Sequence, residues 1–185
     1  SCNGLLVTCG TPNETCCASP LIPGGTYNRS NDVSYPATLS DFRLDRFEVT
    51  VGRFRKFVEA YPTSWPAPGD GAHPLVAGSG WDSTWDSKLP LDQASLSTTL
   101  MCSAAYQTWT PSVGPKETMP INCIDWHLAF AFCAWDGGRL PTEAEWNYAA
   151  AGGNQQREYP WSNPPNSQTI DNTYAIYAVA PIQFV

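Results

Sequence analysis

Apolar and polar side chains alternate between positions 42 and 49 and then recur at helical spacing. The alternation slips near Asp45 and Arg46, a pattern typical of a strand with a bulge or bend. Apolar residues at positions 54, 57, 58 and 61 then form one stripe. Thr50 is placed to cap this helix and Pro62 to end it, so the sequence predicts a strand followed by an amphipathic helix.

A second helix is predicted from Trp126 to about Trp135, with Asp125 as its N-cap and Gly137 as part of its stop signal. Its predicted apolar face consists of Trp126, Ala129, Phe132 and Cys133.

A third helix follows the extended link at Leu140 and Pro141. Thr142 and Glu145 have the spacing of a capping box, in which each side chain accepts from the backbone amide of the other residue. We expect this helix to carry Trp146, Ala149 and Ala150 and to stop at Gly152 and Gly153.

Two long stretches lack periodicity. Residues 1–40 are rich in Cys, Gly, Pro, Asn and Ser, which predicts an irregular, cross-linked head. Residues 63–119 are predicted to form a long loop that packs through Trp65, Trp81 and Trp85. This loop either has a function or forms a layer that covers the core. The order of elements indicates a mixed, loop-rich α+β protein.

Composition excludes several classes of protein. The chain has 185 residues and a formal net charge of −7, and no apolar run approaches the ~20 residues that a membrane span requires. Its one basic cluster, Arg53, Arg55 and Lys56, is interpreted as a solvated helix face, so nucleic acid is not an expected partner.

The seven cysteines favour an oxidising compartment over a zinc site, because no C-x-x-C spacing is present. Four of them lie within the first 17 positions and allow three disulfide pairings. Cys102 and Cys123 flank a proline-rich loop that they could staple. Cys133 is interpreted as a small buried hydrophobe.

Candidate acid–base residues have simpler explanations. Glu143 and Glu145 fit a helix start, where carboxylates favour the helix dipole. Asp82 and Asp86 could line a polar cleft, although solvation of a loop also explains them.

The two histidines, His73 and His127, lie far apart and are interpreted as ordinary surface or partly packed residues.

A family resemblance rests on four sequence blocks. They are I-N-C-I-D-W at 121–126, A-F-C-A-W at 131–135, G-R-L-P-T-E-A-E-W at 138–146 and Y-P-W at 159–161. Together with E-V-T at 48–50 and Phe54, they resemble the formylglycine-generating enzyme family, also called the sulfatase-modifying factor domain, over residues 40–175. The cysteine-rich head and Cys102 are similar to secreted bacterial members.

The resemblance implies a loop-rich fold of the C-type-lectin kind, incomplete at its C-terminus. It divides the chain into a disulfide-linked head at 1–40 and the N-terminal portion of the family domain at 41–185. It also implies a secreted, periplasmic or cell-surface location.

The best-known members of this family use dioxygen to convert a sulfatase cysteine into formylglycine, with copper held by two thiolates. Those cysteines lie C-terminal to anything in this sequence, so no catalytic residue is carried over. Members also bind calcium shortly after the Y-P-W block, where Asp171 and Asn172 are the nearest candidates, with plain turn residues as the alternative.

Three hypotheses of function follow. The first is the scaffold part of a formylglycine-generating oxidase that acts on a sulfatase-type protein. The second is a non-catalytic, extracellular, lectin-like module whose tryptophan-rich loop binds a peptide or glycan. The third is a truncated piece with no role of its own.

Overall fold

The computed structural model describes residues 1–5, 8–10 and 13–174. It contains both helices and short strands, as the sequence predicts. Contacts group the chain into two compact units. The first unit consists of Ser1–Pro20 with Leu44–Leu140, and the second of Leu21–Arg43 with the chain from Pro141 onward.

The first unit is built around three helices, α1 (Val51–Ala60), α2 (Gln93–Thr99) and α3 (Trp126–Trp135). A two-residue strand pair, β1 (Thr8–Cys9) with β2 (Glu14–Thr15), lies near its start. A 3-10 turn covers Ser83–Lys88.

Helix α1 follows the sequence prediction closely. The Thr50 hydroxyl accepts from the backbone amide of Arg53 at 3.3 Å, and the helix ends two residues before Pro62. Phe54 and Phe57 on the predicted stripe have no exposed surface, and Phe54 stacks on Phe132 of α3 with ring centroids 5.3 Å apart. The core of this unit therefore lies between α1 and α3.

The basic cluster on α1 is not the solvated face that the sequence predicts. Arg53 is 4% exposed and Arg55 is 6% exposed, whereas Lys56 is exposed. The prediction fails because both arginines have carboxylate partners more distant in sequence, Asp136 for Arg53 and Glu117 for Arg55.

The predicted 63–119 excursion contains a helix that the pattern of apolar residues does not reveal. Asp92 and Ser95 form a reciprocal capping box at the start of α2, and Leu96 is the buried residue of that helix. Its serines and threonines give it no apolar stripe, so periodicity alone misses it.

Helix α3 has the predicted bounds and the predicted cap, with the Asp125 carboxylate accepting from the amide of Leu128 at 2.9 Å. Its buried face differs from the prediction, because Trp126 is 51% exposed. The residues that α3 buries are Leu128, Phe130, Ala131 and Phe132.

The second unit joins helix α4 (Glu143–Ala150) to four short strands. β3 (Leu21–Ile22) pairs antiparallel with β6 (Phe42–Arg43), and β4 (Gly25–Asn28) with β5 (Pro36–Leu39). Residues 21–39 therefore contain strands where the sequence predicts only irregular chain. The predicted strand over 42–49 is confined to its first two residues, because the backbone bends after Asp45.

The predicted capping box at the start of α4 is confirmed. The amide of Glu145 donates to the Thr142 hydroxyl at 3.2 Å, and the amide of Thr142 donates to the Glu145 carboxylate at 2.8 Å. Tyr148 packs edge-on against Tyr27 with ring centroids 5.0 Å apart, which joins α4 to β4. The sequence also predicts extended chain over 174–185, which lies outside the described residues apart from Tyr174.

Candidate functional site

A cavity of about 470 Å³ opens between α1, α2 and the segment 109–113. This volume lies within the range of small-ligand pockets in proteins. Its lining residues are Arg55, Val58, Glu59, Gln93, Ala94, Ser97, Trp109, Pro111, Ser112 and Val113.

Arg55 forms the floor of this cavity through a buried ion pair. Its guanidinium donates to the Glu117 carboxylate at 2.6 and 3.1 Å, and the two side chains are 7% and 11% exposed. It also donates to the backbone carbonyl of Thr110 at 2.9 Å. Because its donors are engaged in this way, Arg55 shapes the cavity and is not offered to an anionic ligand.

Trp109 forms a second wall and is held from both sides. The guanidinium carbon of Arg55 lies 4.4 Å from the centre of its ring, which is a cation–π contact. The indole N–H of Trp109 donates to the Ser97 hydroxyl of α2 at 3.0 Å. The wall is therefore formed in advance of any ligand.

The segment that carries Trp109 is fixed by Asn122 and by a disulfide. Asn122 accepts from the backbone amide of Thr108 at 2.9 Å and donates to the carbonyl of Tyr106 at 2.7 Å. Cys102 and Cys123 are joined, which confirms the predicted staple. Asn122 and the disulfide therefore hold in place the segment that carries the Trp109 wall.

All seven cysteines lie in the described residues. The head contains the disulfides Cys2–Cys17 and Cys9–Cys16, so the predicted cross-linking is confirmed and one of three pairings is selected. With Cys102–Cys123 joined, Cys133 is the free thiol.

Cys133 is half-buried on α3 and packs against the core. The pKa of its thiol is raised to about 11, mainly by burial and then by repulsion from Asp45 and Asp136, while Arg53 opposes the rise. It is therefore protonated at neutral pH, which disfavours a nucleophilic role.

The copper site that the resemblance implies does not fit the thiols of this chain. A copper site of that kind needs two thiolates, and Cys133 is a single protonated thiol. Within residues 1–5, 8–10 and 13–174, no three His, Cys, Asp or Glu side chains are grouped as a metal site requires.

The two residues predicted to bind calcium, Asp171 and Asn172, are adjacent and exposed. Asp171 accepts from the backbone amide of Thr173 at 2.8 Å. Hydrogen bonds from the Thr173 hydroxyl and amide lower the pKa of Asp171, so the carboxylate is charged. The calcium role of these residues stays a prediction.

The other candidate groups are separated and engaged locally. Asp82 caps the 3-10 turn through the amide of Thr84, and Asp86 accepts from the Trp81 indole at 2.8 Å. Each carboxylate therefore has a local structural partner. His127 packs edge-on against Trp126, with ring centroids 5.2 Å apart.

Part of the tryptophan-rich loop at 63–119 lies in the hydrophobic core. Trp81 is 2% exposed and contacts Phe130 with ring centroids 5.7 Å apart. Trp85 is half-buried, and its ring lies 5.2 Å from that of the exposed Trp126. Burial of Trp81 favours the covering-layer interpretation for that residue.

Sequence reasoning missed the cavity and the Arg55–Glu117 pair. The two residues are 62 positions apart, and Trp109 lies in a stretch with no periodicity. An arginine next to the apolar stripe of α1 was the signal available, because a charge at the margin of a buried face needs a partner.

The sequence matches one protein family and is similar to several known proteins. The family described as "Sulfatase-modifying factor enzyme 1-like domain" matches residues 8–181. The formylglycine-generating enzyme of Mus musculus is 32% identical over 161 residues, which are 74% of this chain and 38% of that protein. The formylglycine-generating enzyme of Thermomonospora curvata is 30% identical over 184 residues, which are 83% of this chain and 55% of that protein.

A third relative carries a different description. The "Inactive C-alpha-formylglycine-generating enzyme 2" of Bos taurus is 29% identical over 165 residues, which are 77% of this chain and 51% of that protein. The chain therefore spans between 38% and 55% of the length of these three relatives.

Proposed function

Because the chain belongs to the sulfatase-modifying factor family, we propose that it forms the scaffold part of an oxidase of the formylglycine-generating type. Its substrate would be a cysteine of a sulfatase-type protein, which dioxygen would oxidise to an aldehyde. The sulfur would leave as sulfide, and an external thiol would supply the two further electrons that reduce dioxygen to water. The observation that carries the proposal is the G-R-L-P-T-E-A-E-W block, which forms the link and capped start of α4.

In this proposal the copper-binding thiolates belong to residues outside this chain. Six cysteines are consumed in disulfides, and the thiol of Cys133 has a pKa of about 11. The chain contributes a rigid framework of the C-type-lectin kind, with residues 1–40 as a disulfide-linked head. Three disulfides support a location in an oxidising compartment outside the cytosol. No helix in the described residues has the length and apolarity needed to cross a bilayer.

A turnover assay tests this proposal. The chain and the protein from its longer reading frame are each incubated with Cu(I), dioxygen, a thiol reductant and a sulfatase peptide that contains the target cysteine. Aldehyde formation is followed by hydrazide labelling and mass spectrometry. We expect conversion by the longer protein and none by the 185-residue chain.

The matched control is Cys133→Ser in both proteins. Because Cys133 is interpreted as a packing residue, its substitution should leave turnover by the longer protein unchanged. Turnover by the chain itself, lost in Cys133→Ser, would contradict the proposal. A longer protein that produces no aldehyde would remove the oxidase assignment.

A second candidate function is a non-catalytic extracellular binding module. The preformed cavity beside Trp109 favours it, and one relative in the family is described as inactive. A screen of immobilised peptides and glycans against the chain tests it, with Val113→Asp as the cavity variant and Leu91→Asp as a control at an exposed apolar position outside the lining. Binding that both variants retain would exclude the cavity.

A further inference from the structure

The charges that line the cavity between α1, α2 and the segment 109–113 are not equivalent. Among its described lining residues, the ionisable ones are Arg55 and Glu59. Arg55 is 6% exposed and its guanidinium is engaged by the Glu117 carboxylate, whereas Glu59 is exposed. The positive charge of the lining is therefore compensated from within, and the charge that faces solvent is the Glu59 carboxylate.

Apolar side chains form much of the remaining lining. Val58 and Trp109 are buried, and Pro111 and Val113 continue the apolar surface to the exposed side of the cavity. Because Trp109 is held by Arg55 and by Ser97, this surface exists before any ligand arrives. A ligand that fills the cavity therefore needs an apolar stem.

The helix ends at the cavity also favour a positive charge. Glu59 lies in the last turn of α1, where the helix dipole attracts cations, and that turn contains no basic residue. At the start of α2, the amide of Ser95 donates to the Asp92 carboxylate at 2.7 Å, so this donor is not offered to an anion. Gln93, in the first turn of α2, adds a side-chain carbonyl that accepts hydrogen bonds.

The Glu59 carboxylate already binds one ammonium group. Nζ of Lys56 donates to it at 3.3 Å, and the two side chains are 43% and 52% exposed for Lys56 and Glu59. An exposed ion pair of this kind contributes little free energy, so a ligand ammonium can take the place of Lys56.

We propose that this cavity binds an aliphatic ammonium group on an apolar stem, the chemistry shared by an alkylamine and by the lysine side chain of a peptide. The ammonium donates to Glu59 and Gln93, and the stem packs against Val58, Pro111 and Val113. The inference rests on the second candidate function, the binding module, and gives the class of its ligand. The formal net charge of −7 favours the approach of cations over anions.

A titration with hexylammonium, hexanol and hexanoate tests the charge preference, because the three compounds share a stem and differ in the head group. Each is added at pH 7 to the isotopically labelled 185-residue chain, and the indole N–H resonance of Trp109 is followed by NMR. We expect hexylammonium to bind about tenfold more tightly than hexanoate, with hexanol between them. Equal affinities for the three compounds would overturn the proposal.

The source of the ammonium is distinguished in a parallel titration with N-acetyl-Gly-Lys-Gly-amide. Tighter binding of this peptide than of hexylammonium would identify a peptide lysine as the ligand, and weaker binding would identify a free amine. Both results support the ammonium class.

Two substitutions should change the affinity for hexylammonium in opposite directions. Glu59→Gln removes the acceptor charge and should weaken binding about threefold to fivefold, while hexanol binding stays the same. Lys56→Gln removes the competing ammonium and should strengthen binding about twofold. Glu48→Gln, at an exposed position outside the lining, is the matched control and should leave every affinity unchanged.

The location of binding is tested by filling the cavity. Ala94→Trp places a large side chain in the lining and should abolish binding of hexylammonium and hexanol. Thr99→Trp, on the same helix and outside the lining, should not. Both positions are exposed, so each variant should fold. Hexylammonium binding that survives Ala94→Trp, or that is unaffected by Glu59→Gln, would overturn the site.

The proposals fail separately. Binding of hexanol and hexanoate that Ala94→Trp abolishes, without a preference for hexylammonium, overturns the ammonium class and leaves the binding module. Failure of every compound to bind overturns the ammonium site, while a peptide or glycan retained in the screen would still support the binding module. The oxidase proposal is decided independently by the turnover assay.

Discussion

The guanidinium of Arg53 donates to Oδ2 of Asp136 at 2.8 Å, which joins the first turn of α1 to the residue that ends α3. The two side chains are 4% and 16% exposed. Burial by itself would raise the pKa of Asp136, but hydrogen bonds from the Ser1 ammonium, Arg53 and the Ser1 hydroxyl outweigh it, and the pKa is lowered. Folding and protonation of Asp136 are therefore coupled.

The first prediction concerns acid stability. Because the folded pKa of Asp136 lies below the unfolded value, its stabilisation is complete above the ordinary aspartate range and is lost as pH falls through the folded pKa. Asp136→Asn should lower the free energy of unfolding by about 1–3 kcal/mol at pH 7. The difference from the unsubstituted chain should shrink in acid, as measured by urea unfolding between pH 7 and pH 3. Glu48→Gln, at an exposed position, is the control.

A second prediction concerns the buried pair beneath the cavity. Glu117→Ala leaves the Arg55 guanidinium buried without its carboxylate, so the free energy of unfolding should fall by about 3–5 kcal/mol. Urea unfolding at pH 7 measures this loss.

The matched variant is the double substitution Arg55→Met, Glu117→Leu. It removes both charges and should cost less than Glu117→Ala, since no uncompensated charge remains. A double variant at least as unstable as the single one would contradict this account of the pair.

A third prediction concerns the Cys102–Cys123 disulfide next to the cavity wall. Cys102 and Cys123 are separated by 21 positions, so replacing both with serine should lower the free energy of unfolding by about 3 kcal/mol. Amide hydrogen exchange should increase across 103–122, the stretch that carries Trp109. Cys133→Ser, which breaks no disulfide, should leave exchange in that stretch unchanged.

A fourth prediction concerns the reactivity of Cys133. Since its pKa is raised to about 11, alkylation by iodoacetamide should be slow at pH 7 and should accelerate as pH approaches that value. Mass spectrometry of the modified peptide measures the rate. A fast reaction at pH 7 in the folded chain, similar to that in denaturant, would refute the assigned burial.

A fifth prediction tests calcium at Asp171 and Asn172. If they contribute to a site, calcium should raise the Tm of the chain by preferential binding to the folded state, and magnesium should do so less. The double variant Asp171→Ala, Asn172→Ala should abolish the calcium effect. A chain whose Tm is indifferent to calcium would reduce both residues to turn formers.

Local signals predicted the helix starts well. Thr50, Asp125 and Thr142 all cap as their sequence context indicates, because capping depends on residues within one turn. The disulfide Cys102–Cys123 was also accessible from sequence, since its partners flank one loop.

Features that depend on distant partners were beyond that reasoning. Burial of Arg53 and Arg55 is set by Asp136 and Glu117, which no local pattern connects to α1. The cavity depends on how α2 lies against α1, and α2 cannot be predicted from apolar periodicity because its sequence has none. The exposure of Trp146 likewise depends on which segments pack against α4, and the sequence of the helix does not specify those segments.

The disulfides of this chain bridge short sequence distances, with separations of 15, 7 and 21 positions. Each bond therefore joins partners that emerge from the ribosome or translocon within moments of one another. Oxidative maturation of the three bonds can finish before the rest of the polypeptide is synthesised. Six of the seven thiols are then already committed, and the partial burial of Cys133 limits its exchange with them.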